Sequence, residues 1–91
     1  MQEKYTAVIT AIVKQKLSTG IISIFDSFQH DLYADPEDII EIIDQVEQRF
    51  EVEFTDSEHF ESTSISEIAK IVEKKRPQPM LSSFGGPIYA V

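Results

Sequence analysis

The chain has no cysteine, no tryptophan and only three glycines among its 91 residues. Without cysteine, neither a disulfide nor a thiolate metal site can reinforce the fold. A single hydrophobic core must suffice, and a chain of this length is just large enough to build one. No apolar run approaches the roughly 20 residues that span a bilayer. The start, Met1-Gln2-Glu3-Lys4-Tyr5, lacks the basic-then-apolar plan of a secretory signal. Together these absences predict a cytoplasmic protein.

Positive charge is also scarce. Eight Lys and Arg face sixteen Asp and Glu, a net charge of −8. Residues 1–17 hold Lys4, Lys14 and Lys16 against Glu3, a net of +2. Residues 26–61 hold thirteen acids against Arg49, a net of −12, and residues 62–91 hold four basic and two acidic residues, a net of +2. So acidic a middle repels nucleic acid and anionic lipid and argues against both as partners. It attracts basic protein surfaces. The same charge also serves a purely solubilising face, and composition alone does not separate the two.

The usual chemistry of enzymes is missing as well. There is no Gly-rich phosphate loop. His30 and His59 stand apart, outside any metal-ligand spacing, and pair with no serine or cysteine in a triad pattern. His30, Asp31 and Asp35 are close in sequence, but proximity is all that relates them. No enzyme and no metal site is expected.

What is present is helical periodicity. Tyr5, Val8, Ile9, Ile12, Val13 and Leu17 form one stripe across residues 3–17. Thr19-Gly20 is expected to stop that helix. Residues 21–34 have no sustained period and read as a long loop, with Ile21, Ile22, Ile24 and Phe25 expected to tuck into the core. A loop of this length signals function or packing of its own. The next helix opens with Asp35 as N-cap and Pro36 at the first helical position, where a preset φ and a missing N–H do no harm. Its inner stripe is Ile39, Ile43, Val46 and Phe50, with Ile42 beside it. Glu37, Asp38, Glu41, Asp44 and Glu47 fall on the outer face, where a solvated setting argues against general-acid work. Glu51-Val52-Glu53-Phe54-Thr55 reads as an extended link, and residues 56–61 as one short helical turn. Ser64-x-x-Glu67 is a capping-box pattern that opens a last helix with the stripe Ile65, Ile68, Ala69, Ile71 and Val72. Lys74, Lys75 and Arg76 suit its C-terminal end, and Pro77 stops it.

The stretch from Ser27-Phe28 through Asp31-Leu32-Tyr33-Ala34-Asp35, followed by a helix ending in Glu47-Gln48-Arg49-Phe50, resembles acyl carrier proteins. Their pattern here is Ser-Phe-x-x-Asp-Leu-Gly-Ala-Asp-Ser-Leu-Asp. The resemblance spans residues 3–75 and implies an all-α fold: an acyl-carrier-protein-like bundle of three main helices, one short helix and a long first loop. In the family the serine after the last Asp-Leu-Gly-Ala-Asp carries the phosphopantetheine arm. Pro36 occupies that place and has no hydroxyl to esterify, so no cofactor is expected. Tyr33 replaces the usual glycine, Glu37 the usual leucine, and Asp44 falls where an apolar docking residue is common. Family members dock on basic patches of partner enzymes through the second helix. By resemblance Asp35, Asp38, Glu41 and Glu47 would do so here, with Glu37 and Asp44 adding to the field. Ile40 is either an apolar anchor on that face or a core residue. Asp26-Ser27-Phe28 has a superficial likeness to the Asp-Ser-Leu attachment signature, yet Ser27-Phe28 already matches the family's upstream Ser-Phe. Ser27 therefore reads as a turn cap, with attachment there as the alternative.

Residues 76–91 form a second unit beyond the helical domain of residues 1–75. Three prolines and two glycines exclude regular helix, while Met80, Leu81, Phe84, Ile88, Tyr89, Ala90 and Val91 make it apolar. Such a segment suits strand-like capture in a partner's groove. Gly85-Gly86 resembles the double-glycine ends of leader peptides in ribosomally made natural products, although Pro87 is unfavourable to cleavage after it. The expectation is a non-catalytic docking protein that recruits a biosynthetic or peptide-modifying enzyme by its basic surface. It would present the tail, Phe84, Gly85, Gly86, Pro87, Ile88, Tyr89, Ala90 and Val91, in one version as a peptide precursor with a folded leader. A tail folded over the domain's own cleft, a carrier modified at another serine, and a regulatory subunit remain open alternatives.

Overall fold

The structure, a computed structural model, describes residues 3–76. Four helices follow one another: α1 (Glu3–Leu17), α2 (Pro36–Phe50), α3 (Asp56–Glu61) and α4 (Ile65–Lys75). This is the expected all-α arrangement. Residues 77–91, and with them Phe84 to Val91, lie outside the described residues.

On α1 the period of four puts Tyr5, Ile9 and Val13 on one buried line, flanked by half-buried Val8, Ile12 and Leu17. The helix ends at Leu17, as its stripe predicts, but the stop is made by a different residue from the one expected. Ser18, not Gly20, takes the left-handed conformation, at φ 52, and the Thr19 N–H donates to the Lys14 carbonyl at 3.3 Å. A Cβ at Gly20 would meet nothing within 4 Å, so packing makes no demand for glycine there.

The long loop is half correct as read. Ile22 and Ile24 pack against the core, but Ile21 and Phe25 are 97% and 72% exposed. A tight turn is the reason. The Ser23 N–H donates to Asp26 Oδ2 at 2.8 Å and the Asp26 N–H to the Ser23 carbonyl at 3.0 Å, and Phe25 lies on the open side of this turn. Phe28 instead supplies the loop's anchor and is fully buried. Its N–H donates to the Thr63 carbonyl at 3.0 Å, and its carbonyl accepts the Ala34 N–H at 2.8 Å. The Ser66 N–H, at the start of α4, reaches back to the Ile24 carbonyl at 2.9 Å.

The core lies where α1 packs on both α2 and α4. Ile42, Ile43, Val46 and Phe50 come from α2, and Ile65, Ile68, Ala69, Ile71 and Val72 from α4. Ile39, expected inside, is only half-buried. At one end of the bundle the Tyr5 ring meets Phe50 edge-on, with centroids 5.3 Å apart. Its hydroxyl donates to the Arg76 carbonyl at 3.0 Å, while Arg76 Nη1 donates to the Phe50 carbonyl at 3.1 Å. The ends of α2 and α4 are thereby tied together.

The short elements are capped individually. The reciprocal capping box belongs to α3: Thr55 Oγ1 accepts the Glu58 N–H, and the Glu58 carboxylate accepts the Thr55 N–H. At Ser64 the hydroxyl accepts the Glu67 N–H at 3.3 Å, and the Glu67 carboxylate pairs with Lys70. Glu58 also bridges to Lys75 at 2.8 Å, joining α3 to the end of α4.

Candidate functional site

The first turn of α2 holds the position that distinguishes this chain. Asp35 is extended, at φ −73 and ψ 154, as an N-cap should be, but its side chain makes no capping hydrogen bond. The helix is opened by its proline rather than by the carboxylate: Pro36 has no N–H in need of a cap. Pro36 is solvent-exposed. Only ring methylenes face the solvent there, and no oxygen is available for a phosphodiester.

Tyr33, three residues earlier, lies in the left-handed region at φ 55 and is 84% exposed. Glycine adopts this conformation freely, whereas a Cβ is penalised. The structure thus accounts for the glycine that the acyl-carrier pattern has at this point, and it shows that the turn survives with tyrosine. The ring stands bare beside the start of α2.

Along α2 the spacing of Glu37, Ile40, Glu41 and Asp44 places them on one outward face. Ile40 is 51% exposed and so is not a core residue. It sits amid the acids as an apolar centre within a charged rim. The six candidate acids are not equivalent. Asp35, Glu37 and Asp44 are exposed and form no ion pair among the described residues, and Asp38 is half-buried. Glu41 is already paired with Lys16 of α1. That carboxylate, with Asp38 adding to it, raises the Lys16 ammonium above its ordinary pKa. Glu47 turns inward along the chain, and its carboxylate accepts the Phe54 N–H at 2.8 Å. It holds the link after α2 in place, so its charge is partly committed to the fold.

Beside this face lies an open groove of about 790 Å³. Pro36, Ile39 and Ile40 form one wall, Phe25 and Phe28 another, and Phe60 and the Ser62-Thr63-Ser64 link close it. Phe60 is 88% exposed. Sequence reading missed this groove because its exposed walls, Phe25 and Phe60, come from an irregular loop and from a six-residue helix too short to show a period.

Ser27 also lines the groove. Its Oγ accepts the His30 N–H at 3.1 Å, and the Asp31 carboxylate accepts the Ser27 N–H at 2.7 Å. It caps the turn over residues 27–32, as expected. His59 stacks edge-on with Phe54 at 6.1 Å. Among the described residues no group of three or more His, Cys, Asp or Glu is placed to hold a metal ion. No helix among them is long and apolar enough to cross a membrane.

Comparison with known proteins agrees with this architecture. The family described as phosphopantetheine attachment site matches residues 7–72. The acyl carrier protein of Prochlorococcus marinus (strain MIT 9515) is 29% identical over 77 residues, covering 82% of this chain and 96% of that protein. The matched span runs from the first helix through the buried stripe of the last, and takes in the loop and α2, so the chain belongs to the phosphopantetheine attachment site family, with an acyl-carrier-protein-like fold.

Proposed function

We propose that this protein is a carrier-fold docking module that has lost carrier chemistry. One observation supports it above the others: position 36, which the family pattern gives to the attachment serine, is an exposed proline opening α2. A transferase that esterifies serine has no nucleophile there. Family members work with biosynthetic enzymes, and the acidic face retained on α2 suits such an enzyme's basic surface. Ile40 and Tyr33 are the apolar contacts, and Asp35, Glu37, Asp38 and Asp44 the steering charges. Such rim charges act mainly on encounter rate and orientation. Glu41 and Glu47 contribute less than their charge implies, because Lys16 and the Phe54 N–H already engage them.

The helical domain, residues 1–75, recruits the enzyme, and residues 76–91 are what it delivers. The tail is uncharged in its side chains from Pro77 to Val91 and ends in the apolar run Ile88-Tyr89-Ala90-Val91. It has the composition of a peptide substrate or an inserted ligand.

The test is the intact mass of the protein purified from its natural host, with fragmentation to locate any change. A change confined to residues 77–91 makes the tail a substrate and the helical domain its delivery module. A phosphopantetheine group on any serine refutes the reading. An unmodified chain would point to a regulatory subunit that uses the same docking face.

A further inference from the structure

The groove and the tail have matching properties. Phe25, Ile40 and Phe60 leave 72%, 51% and 88% of their surface exposed around one concavity. A bare apolar patch of this kind is normally covered by something. The groove sits where α2 and α4 begin, since Pro36 and Ile39 line it at one and Ser64 and Glu67 at the other. The described chain leaves at the opposite end, at Arg76, whose guanidinium is bonded to the Phe50 carbonyl at the close of α2. The return path is therefore the length of α2, about 22 Å for its 15 residues. An extended chain covers about 3.3 Å per residue. Residues 77–83 thus suffice for the return, about 23 Å, and Phe84 arrives at the groove with seven residues still to follow.

We propose that this groove is the seat of the chain's own C-terminal segment, Phe84–Val91. The segment brings Phe84, Ile88, Tyr89 and Val91 to an apolar site. It has no charged side chain to conflict with the groove walls. Gly85-Gly86-Pro87 divides it with a turn signal. Tethering makes weak contacts sufficient. A short flexible linker gives an effective concentration of about 1 mM, so a groove–peptide affinity of only that order fills half the sites.

The inference goes beyond the docking reading and does not rest on it. Its consequence for that reading is competition. Ile40 belongs both to the groove wall and to the outward face of α2. A partner that covers Ile40 displaces the segment, so docking and release of the tail are one event.

Paramagnetic relaxation tests this on the full chain. The protein has no cysteine, so Ser83→Cys gives a single attachment point for a spin label just before the seated segment. Amide signals of Phe25, Ile40 and Phe60 should lose roughly half their intensity or more, as the effective concentration implies. The loss should be the same after tenfold dilution, and adding Phe84→Ser and Tyr89→Ser to the labelled chain should abolish it. Absence of the loss, or a loss that survives those two tail substitutions, overturns the proposal. A loss that fades on dilution also overturns it, because the groove is then filled by a second copy's tail.

Discussion

Tyr33 offers a test in which the usual order of two substitutions is reversed. Its φ of 55 places a Cβ in the left-handed region, and its ring is 84% exposed, so removing the ring sacrifices little packing. At an ordinary position alanine is more stable than glycine by about 0.5–1 kcal/mol, because glycine loses more backbone freedom on folding. In the left-handed region the Cβ itself costs about 1–2 kcal/mol. The difference leaves Tyr33→Gly more stable than Tyr33→Ala by about 0.5–1 kcal/mol. A domain of this size shifts by about 4–8 °C per kcal/mol, so the two variants should melt about 2–8 °C apart. Thermal and urea unfolding followed by circular dichroism, in one buffer and with unchanged urea slope, reads this directly. The parent should lie near the alanine variant. If alanine equals or exceeds glycine, the backbone at residue 33 is not held left-handed.

Other expectations follow from the same geometry. Phe28→Ala should cost about 3–5 kcal/mol, much of the stability of so small a domain, while Phe28→Leu should stay within about 1.5 kcal/mol; urea midpoints compare them. Glu58 has its carboxyl pKa lowered by the Lys75 ammonium and the Thr55 N–H. A depressed carboxyl stabilises the fold above its unfolded pKa and ceases to as pH falls through the folded value. Glu58→Gln should therefore cost about 1 kcal/mol at neutral pH, allowing for solvent screening of a pair that is only half-buried. The gap to the parent should close in acid. Glu47→Ala should act on stability rather than on docking, losing about 1–2 kcal/mol by stripping the Phe54 N–H of its acceptor. The charge reversal Glu37→Lys with Asp44→Lys should leave the urea midpoint nearly unchanged.

Much of the fold was legible in the sequence because it is written in period and cap. The stripes of α2 and α4, the proline that opens α2 and the serine that opens α4 are local signals, and the helices begin where those residues place them. Ser18 ends α1 ahead of Gly20 by taking the left-handed turn itself, which lets the Thr19 N–H close the helix on the Lys14 carbonyl. Phe25 and Phe28 are three residues apart in one irregular loop, one exposed and one fully buried. No period distinguishes them; the hydrogen bonds to Ser23 and to Thr63 do. The docking face was readable as a row of acids, but the diversion of Glu41 to Lys16 and of Glu47 to the Phe54 N–H depends on partners 25 and 7 residues away. The groove was invisible for the same reason, being assembled from the loop, α2, α3 and the link to α4.

In the proposed function, residue 36 is what separates this chain from working carriers. That separation is tested most directly by incubating the protein with coenzyme A and a broad-specificity phosphopantetheinyl transferase and recording its intact mass. The unaltered chain should gain nothing. Pro36→Ser combined with Glu37→Leu, which restores the family's Asp-Ser-Leu at exposed positions, should gain the mass of one phosphopantetheine group at residue 36. An unaltered chain that acquires the group, at Ser27 or any other serine, would contradict the account, as would a restored chain that stays unmodified.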